Sequence, residues 1–177
     1  VEQFEDALSE LQQEGMTALI VDLRSNPGGM LTSVCSMLDD ILPEGLLVYT
    51  EDKNGNRQDY NSTDDKSLDL PLAVLVNGNS ASASEIFAGA IQDRKAGTII
   101  GTTTYGKGVV QSILSLKDGS AFKLTTSRYF TPNGTCIQGI GIQPDVEIEY
   151  EFTGPEDAKY SEEYDNQIQK ALDVLQQ

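Results

Sequence analysis

The sequence contains no histidine. That absence excludes Ser-His-Asp and Cys-His hydrolases within this chain, together with any histidine-ligated metal site. A nucleophilic enzyme built from these residues must take its base from a lysine, a carboxylate or a terminal amine. Cysteine is nearly absent as well. Cys35 and Cys136 are the only two, they are far apart, and neither belongs to a CxxC or Cys/His cluster, so they form no disulfide framework and no zinc site and are expected as buried free thiols. Positive charge is scarce: 12 Lys and Arg stand against 28 Asp and Glu, a net charge of -16. Nucleic acid and anionic membrane surfaces, which need clustered cations, are thereby disfavoured as partners. The acidic residues are dispersed and read as a solvated surface. No apolar run reaches the ~18 residues of a membrane span and no leader pattern is present, so the chain reads as soluble. It opens at Val1 without an initiator methionine and inside a predicted helix, as a piece cut from a longer precursor would.

What is present fits one domain, the default for 177 residues. Phe4, Ala7, Leu8 and Leu11 lie at helical spacing and Gly15 follows as a stop. Ala18 to Leu23 is a short apolar run of the kind covered on both faces of a sheet, and it ends in the turn Asn26-Pro27-Gly28-Gly29. Leu31, Val34, Leu38 and Ile41 predict a second helix, Leu46 to Thr50 a strand, and Asn54-Gly55 a hairpin turn. Pro71 to Val76, a helix over Glu85 to Lys95, and Gly97 to Gly101 continue an alternation that indicates an α/β core. From Val109 onward strands and turns predominate and read as antiparallel hairpins, up to a strand over Asp145 to Tyr150. The polar stretch Thr153 to Tyr164 reads as a linker, and Ile168, Ala171, Leu172 and Leu175 as a closing amphipathic helix.

Ser82 sits in a loop of small residues between a buried strand and a helix. Small neighbours allow a peptide backbone to approach, and free N–H groups at a helix start can stabilise an oxyanion. The same residues, Ser82-Ala83-Ser84-Glu85, match a capping box, which needs no chemistry at all. Lys107, in Tyr105-Gly106-Lys107-Gly108, follows the next strand of the strand-helix-strand unit, where the ends of adjacent parallel strands lie side by side. Locally it is equally a solvated turn lysine. A lysine acting as base must be desolvated until its amine falls from the ordinary ~10.4 to near 7, worth about 4 kcal/mol. Ile99, Ile100, Val109 and Val110 supply apolar neighbours, and Gln111 falls on the side of the strand that could accept a hydrogen bond from the amine. An N–H of Gly28 or Gly29 could join that of Ala83 in an oxyanion hole.

Taken together, VDLRSNPGG (Val21 to Gly29), NGNSASASEIFAGAIQDRKAGTIIG (Asn77 to Gly101), TYGKGVVQ (Thr104 to Gln111) and GIGIQPDV (Gly139 to Val146) resemble the tail-specific, or carboxyl-terminal processing, protease family. Four strings in order over most of the chain make the resemblance specific. It implies Ser82 as nucleophile, Lys107 as base and Gln111 as the residue that orients it, with an oxyanion hole from Gly28, Gly29 and Ala83. It also implies an α/β, crotonase-like (ClpP/crotonase superfamily) core with a mixed sheet, flanking helices and C-terminal β-hairpins, spanning residues 1–150 and lacking its first strand. Residues 151–177 then form a linker and a helix packed on or near the core. The activity implied is serine endopeptidase cleavage of polypeptides near their carboxyl termini, without metal or organic cofactor. Such enzymes carry a PDZ module, which this sequence does not contain, and the family setting implies an extracytoplasmic address in the bacterial envelope. Two other readings stay open: a noncatalytic apolar-ligand binding module of the same fold, and a fragment inactive without its N-terminal part.

Overall fold

Leu72 to Val76 forms a strand in which every residue is buried, so both of its faces must be covered. The structure, a computed structural model, describes residues 1–63 and 67–176. Its elements are α1 (Glu2–Gln13), β1 (Leu19–Asp22), α2 (Leu31–Asp39), β2 (Gly45–Asp52), β3 (Arg57–Ser62), β4 (Leu72–Val76), α3 (Ala83–Asp93), β5 (Thr98–Gly101), β6 (Val109–Ser115), β7 (Ala121–Phe130), β8 (Val146–Glu147), a 3₁₀ turn (Glu162–Tyr164) and α4 (Asn166–Leu175). The first sheet, in the order β1-β4-β5-β8, is parallel throughout. The period-two alternation of β4 distributes its side chains to two cores. Leu72, Val74 and Val76 join α2 and α3 on one face, whereas Ala73 and Leu75 meet Ile168, Ala171, Val174 and Leu175 of α4 on the other. The closing helix therefore packs on the strands that lead into the catalytic candidates.

The second sheet, β3-β2-β7-β6, is antiparallel. Parallel and antiparallel pairing thus segregate into two sheets, where the sequence reading expected one mixed sheet. The β2–β3 hairpin turns at Asn54-Gly55 as expected. Only the last four residues of β7, Ser127 to Phe130, pair with β2, so the distal part of the β6–β7 hairpin projects from the body and leaves Ile113, Leu116, Phe122 and Leu124 exposed.

Two local expectations change. β1 was read as covered on both faces, but it is an edge strand with Ile20 and Val21 half-buried and Asp22 exposed. The strand expected over Asp145 to Tyr150 is reduced to β8 and runs parallel to β5 instead of closing a hairpin. The Asp145 carboxylate accepts the Ile99 N–H (2.8 Å) and the Gln92 amide (2.8 Å), which docks this segment beside β5. Among the described residues, no helix is long and apolar enough to cross a membrane.

The stretch read as a linker is folded back on itself. Phe152 meets Tyr164 edge-on at 5.6 Å, and the Thr153 N–H donates to the Tyr164 carbonyl at 2.8 Å. Both cysteines are free and half-buried. Burial, with the nearby Asp39 charge, pushes the Cys35 thiol up to about 11, so it remains protonated near neutrality.

Candidate active site

The parallel sheet delivers two chain exits side by side. Beyond β1 and β4, Asn77 Oδ1 accepts the Ser25 N–H (2.9 Å) and the Asn79 N–H (3.0 Å), while Ser80 Oγ donates to the Leu23 carbonyl at 2.7 Å. These bonds fix the loop that ends at Ser82. Ser82 is the N-cap of α3 and has φ 59° and ψ -117°. A non-glycine residue at positive φ is strained by about 1–3 kcal/mol and persists only where its surroundings hold it.

The restraint comes largely from Glu85, whose side chain is fully buried. Its Oε2 accepts the backbone N–H of Ser82 (2.8 Å) and that of Lys107 (2.9 Å). Its Oε1 accepts the Gly106 N–H (2.7 Å) and the Thr104 hydroxyl (2.5 Å). The Tyr129 hydroxyl makes a second bridge, reaching the carbonyls of Ser82 (3.1 Å) and Lys107. Burial first, then the Glu85 charge, pushes the Tyr129 phenol far above its usual range, so it stays a donor. One carboxylate thus joins the N–H groups of the two candidate residues, and one phenol joins their carbonyls.

Gly106 and Gly108 flank Lys107 because the backbone of residues 138–141 packs against them. A Cβ on Gly108 would lie 2.6 Å from the Gln138 nitrogen, and one on Gly106, at φ 86°, would lie 3.0 Å from the Ile140 nitrogen. Two of the sequence motifs are therefore a single packed unit.

The Asn26-Pro27-Gly28-Gly29 turn approaches from the other side. A side chain on Gly28 would strike the Ala81 carbonyl at 2.4 Å and the Ala83 nitrogen at 2.6 Å, so only glycine allows this contact. The expectation that Gly28 offers an oxyanion donor needs correction, because its N–H already donates to Asn26 Oδ1 at 2.9 Å. Gly28 provides clearance, while Gly29 and Ala83 face the cavity.

That cavity has a volume of about 350 Å³ and brings together Ser82, Lys107, Gln111, Gly29 and Ala83. Met30, Leu31, Ile86, Val109 and Val110 form its apolar walls, and Lys123 and Tyr129 complete it. Gln111 lies in the same cavity, but its amide donates to Thr125 Oγ1 at 3.4 Å rather than engaging Lys107.

Arg24, at the entrance to the turn, connects the site to the C-terminal segment. Its guanidinium donates to Asp22 (2.7 Å), Asp165 (2.8 Å) and Gln167 (2.9 Å). Asp165 is buried and also N-caps α4 by accepting the N–H groups of Gln167 (3.0 Å) and Ile168 (3.1 Å). Burial alone would raise its carboxyl, but the Ile168 N–H and Arg24 outweigh that and hold it below the ordinary value. A carboxylate depressed in the folded state contributes stability that is present above its unfolded value of ~3.9 and is lost as pH falls through the folded one. Asp165→Asn is expected to lower stability at pH 7 by about 2 kcal/mol and to flatten the acid limb below about pH 4. Urea melts across pH 2–7 measure this, and an unchanged acid limb would refute it.

The sequence reading did not assign Tyr129, Arg24 or Asp165 to the site. It saw Glu85 only as a helix-cap partner. That signal was sound but incomplete, since the capping carboxylate also reaches the lysine loop.

Known proteins resemble this chain over most of its length. A model of peptidase family S41 matches residues 1–148. A carboxyl-terminal-processing protease of Synechocystis sp. is 39% identical over 175 residues, covering 96% of this chain and 39% of the relative. A carboxy-terminal-processing protease of Bartonella bacilliformis is 47% identical over 148 residues, covering 81% of this chain and 34% of the relative. Among solved structures, a photosystem II D1 C-terminal processing protease superposes with a TM-score of 0.77 at 40% identity, over 84% of this chain and 39% of that one. The chain therefore spans little more than a third of the length of these curated relatives.

Proposed function

Because the chain belongs to peptidase family S41, we propose that it is the catalytic core of a serine endopeptidase that cuts polypeptides near their carboxyl termini. In this reading Lys107 takes the proton of Ser82 Oγ as that oxygen adds to the scissile carbonyl. The N–H groups of Gly29 and Ala83 hold the resulting oxyanion. The proton then passes from Lys107 to the leaving amine, which departs as the new amino terminus and leaves an acyl ester on Ser82. Water, deprotonated by Lys107, hydrolyses the ester and regenerates the serine. Gln111 orients the Lys107 amine by accepting a hydrogen bond from it through its amide oxygen.

The observation that carries this reading is the double bridge, in which Glu85 and Tyr129 hold the backbones of Ser82 and Lys107 against each other at one cavity. The apolar-ligand alternative is disfavoured by the two lysines and the glutamine that line this cavity. The crotonase-like assignment, a PDZ module elsewhere in the whole protein, and an extracytoplasmic address belong to the same proposal and rest on the family resemblance.

A fluorophosphonate tests the nucleophile in the whole protein. Peptidase activity is expected to vanish in step with a single adduct on Ser82, located by peptide mass mapping. Inactivation with the adduct elsewhere, or full activity with Ser82 labelled, would overturn the assignment.

A further inference from the structure

We propose that Lys123 is a substrate-specificity residue whose ammonium receives a carboxylate carried by the polypeptide two or three residues from the bond that Ser82 attacks. This inference rests on the endopeptidase reading above. Lys123 lies on β7 opposite Ile113 of β6, and the next pair on the same face of the hairpin is Gln111 with Thr125. Residues two apart on a strand share a face, so Lys123 and Gln111 stand on one wall, and both line the cavity of Ser82 and Lys107. The step from one pair to the next is about 7 Å, and an extended peptide advances ~3.3 Å per residue. Lys123 thus lies about two residues of extended peptide beyond Gln111 along the wall of the cavity that holds Ser82, which is the basis for the proposed register.

Charge singles this position out. The chain carries -16 overall, yet no Asp or Glu lines this cavity, while two lysines do. Lys107 is committed to the proton transfers. Among the described residues Lys123 forms neither an ion pair nor a side-chain hydrogen bond, so its charge has no internal counterpart. An anionic polypeptide repelled by the rest of the surface finds its complementary charge here. In a polypeptide that anion is a carboxylate, supplied either by the chain terminus or by an Asp or Glu side chain.

The test compares the whole wild-type protein with Lys123→Met and Lys123→Arg on one peptide series. The series pairs a free C-terminal acid with its amide, and Glu with Gln, at the second and third positions on either side of the cleaved bond. The wild type is expected to prefer at least one carboxylate-bearing partner about tenfold in kcat/KM, mainly through KM, and the preference should weaken in 0.5 M salt. Lys123→Met should reduce that ratio to near one and Lys123→Arg should retain it. The acid/amide and Glu/Gln arms separate the two sources of the carboxylate. A wild type with no preference, or a Lys123→Met variant that keeps it, would overturn the inference. So would a Lys123→Met variant that loses kcat equally on every peptide with a displaced pH profile, because Lys123 would then act on Lys107. Cleavage that persists in Ser82→Ala, or a wild type that cleaves none of the peptides, would instead refute the peptidase reading itself.

Discussion

Replacing Lys107 by alanine is expected to lower kcat/KM for peptide cleavage by about 10⁴-fold, the loss typical of removing one member of a nucleophile–base pair. This chain contains no histidine, so no imidazole of its own can take over the proton. The fold should survive, because what the core uses of Lys107 is its backbone: the N–H donates to Glu85 at 2.9 Å and the carbonyl accepts from Tyr129. Lys107→Arg makes the sharper variant. It preserves a positive charge in the cavity, but a guanidinium does not give up its proton at working pH. If Lys107 served only to stabilise negative charge, arginine would restore much of the rate. As a base, lysine is irreplaceable, and both variants should be inactive while their thermal unfolding stays close to that of the wild type. A Lys107→Ala protein with kcat within tenfold of wild type, or strong rescue by arginine, would refute the role.

Much of this arrangement was legible because short-range patterns report short-range physics. The apolar run Pro71 to Val76 reads as a buried strand because it is short and bounded by Asn77-Gly78, and Leu72 to Val76 is one. The small residues around Ser82 and the glycines around Lys107 mark places where backbone meets backbone, and the structure shows what they meet. Illegible were features set by partners distant in sequence. Nothing near Tyr129 announces that its hydroxyl will lie over the carbonyls of Ser82 and Lys107, since this depends on how β7 sits against α3. The edge position of β1 could not be read from its composition, because Ile20 and Val21 are as apolar as residues of a central strand. Nor could the pairing of Arg24 with Asp165, which spans most of the chain and requires the C-terminal segment to fold back beside the turn. The Gly28 N–H was misjudged for a local reason, the Asn26 side chain closing a turn on it first.

Glu85→Gln is expected to reduce kcat by about 10²- to 10³-fold with a much smaller change in KM. The carboxylate is buried and accepts four hydrogen bonds, two at each oxygen. Glutamine fills the same space but keeps one acceptor oxygen, and its NH₂ group must face two of the former donors. Whichever way the amide turns, either the N–H groups of Ser82 and Lys107 or the Gly106 N–H and the Thr104 hydroxyl face an NH₂ group instead of an acceptor. Each lost bond to a charged group is worth about 1.5–3 kcal/mol, so the pair represents about 3–6 kcal/mol, shared between global stability and local geometry. Local geometry is the cheaper term to surrender. Ser82 is held at φ 59° against its own preference, and relaxing it displaces Oγ from its place in the cavity. A displacement of about 1 Å at reacting atoms is enough for a hundredfold loss. Glu85→Asp should fail similarly, because the shortened side chain cannot reach both loops at once. The distinguishing measurement pairs kcat with fluorophosphonate labelling of Ser82 under conditions where circular dichroism shows the variant folded. Slow labelling in a folded protein identifies Glu85 as a positioning residue for the nucleophile. A folded Glu85→Gln variant with wild-type kcat would show that the bridge is a helix cap and nothing more.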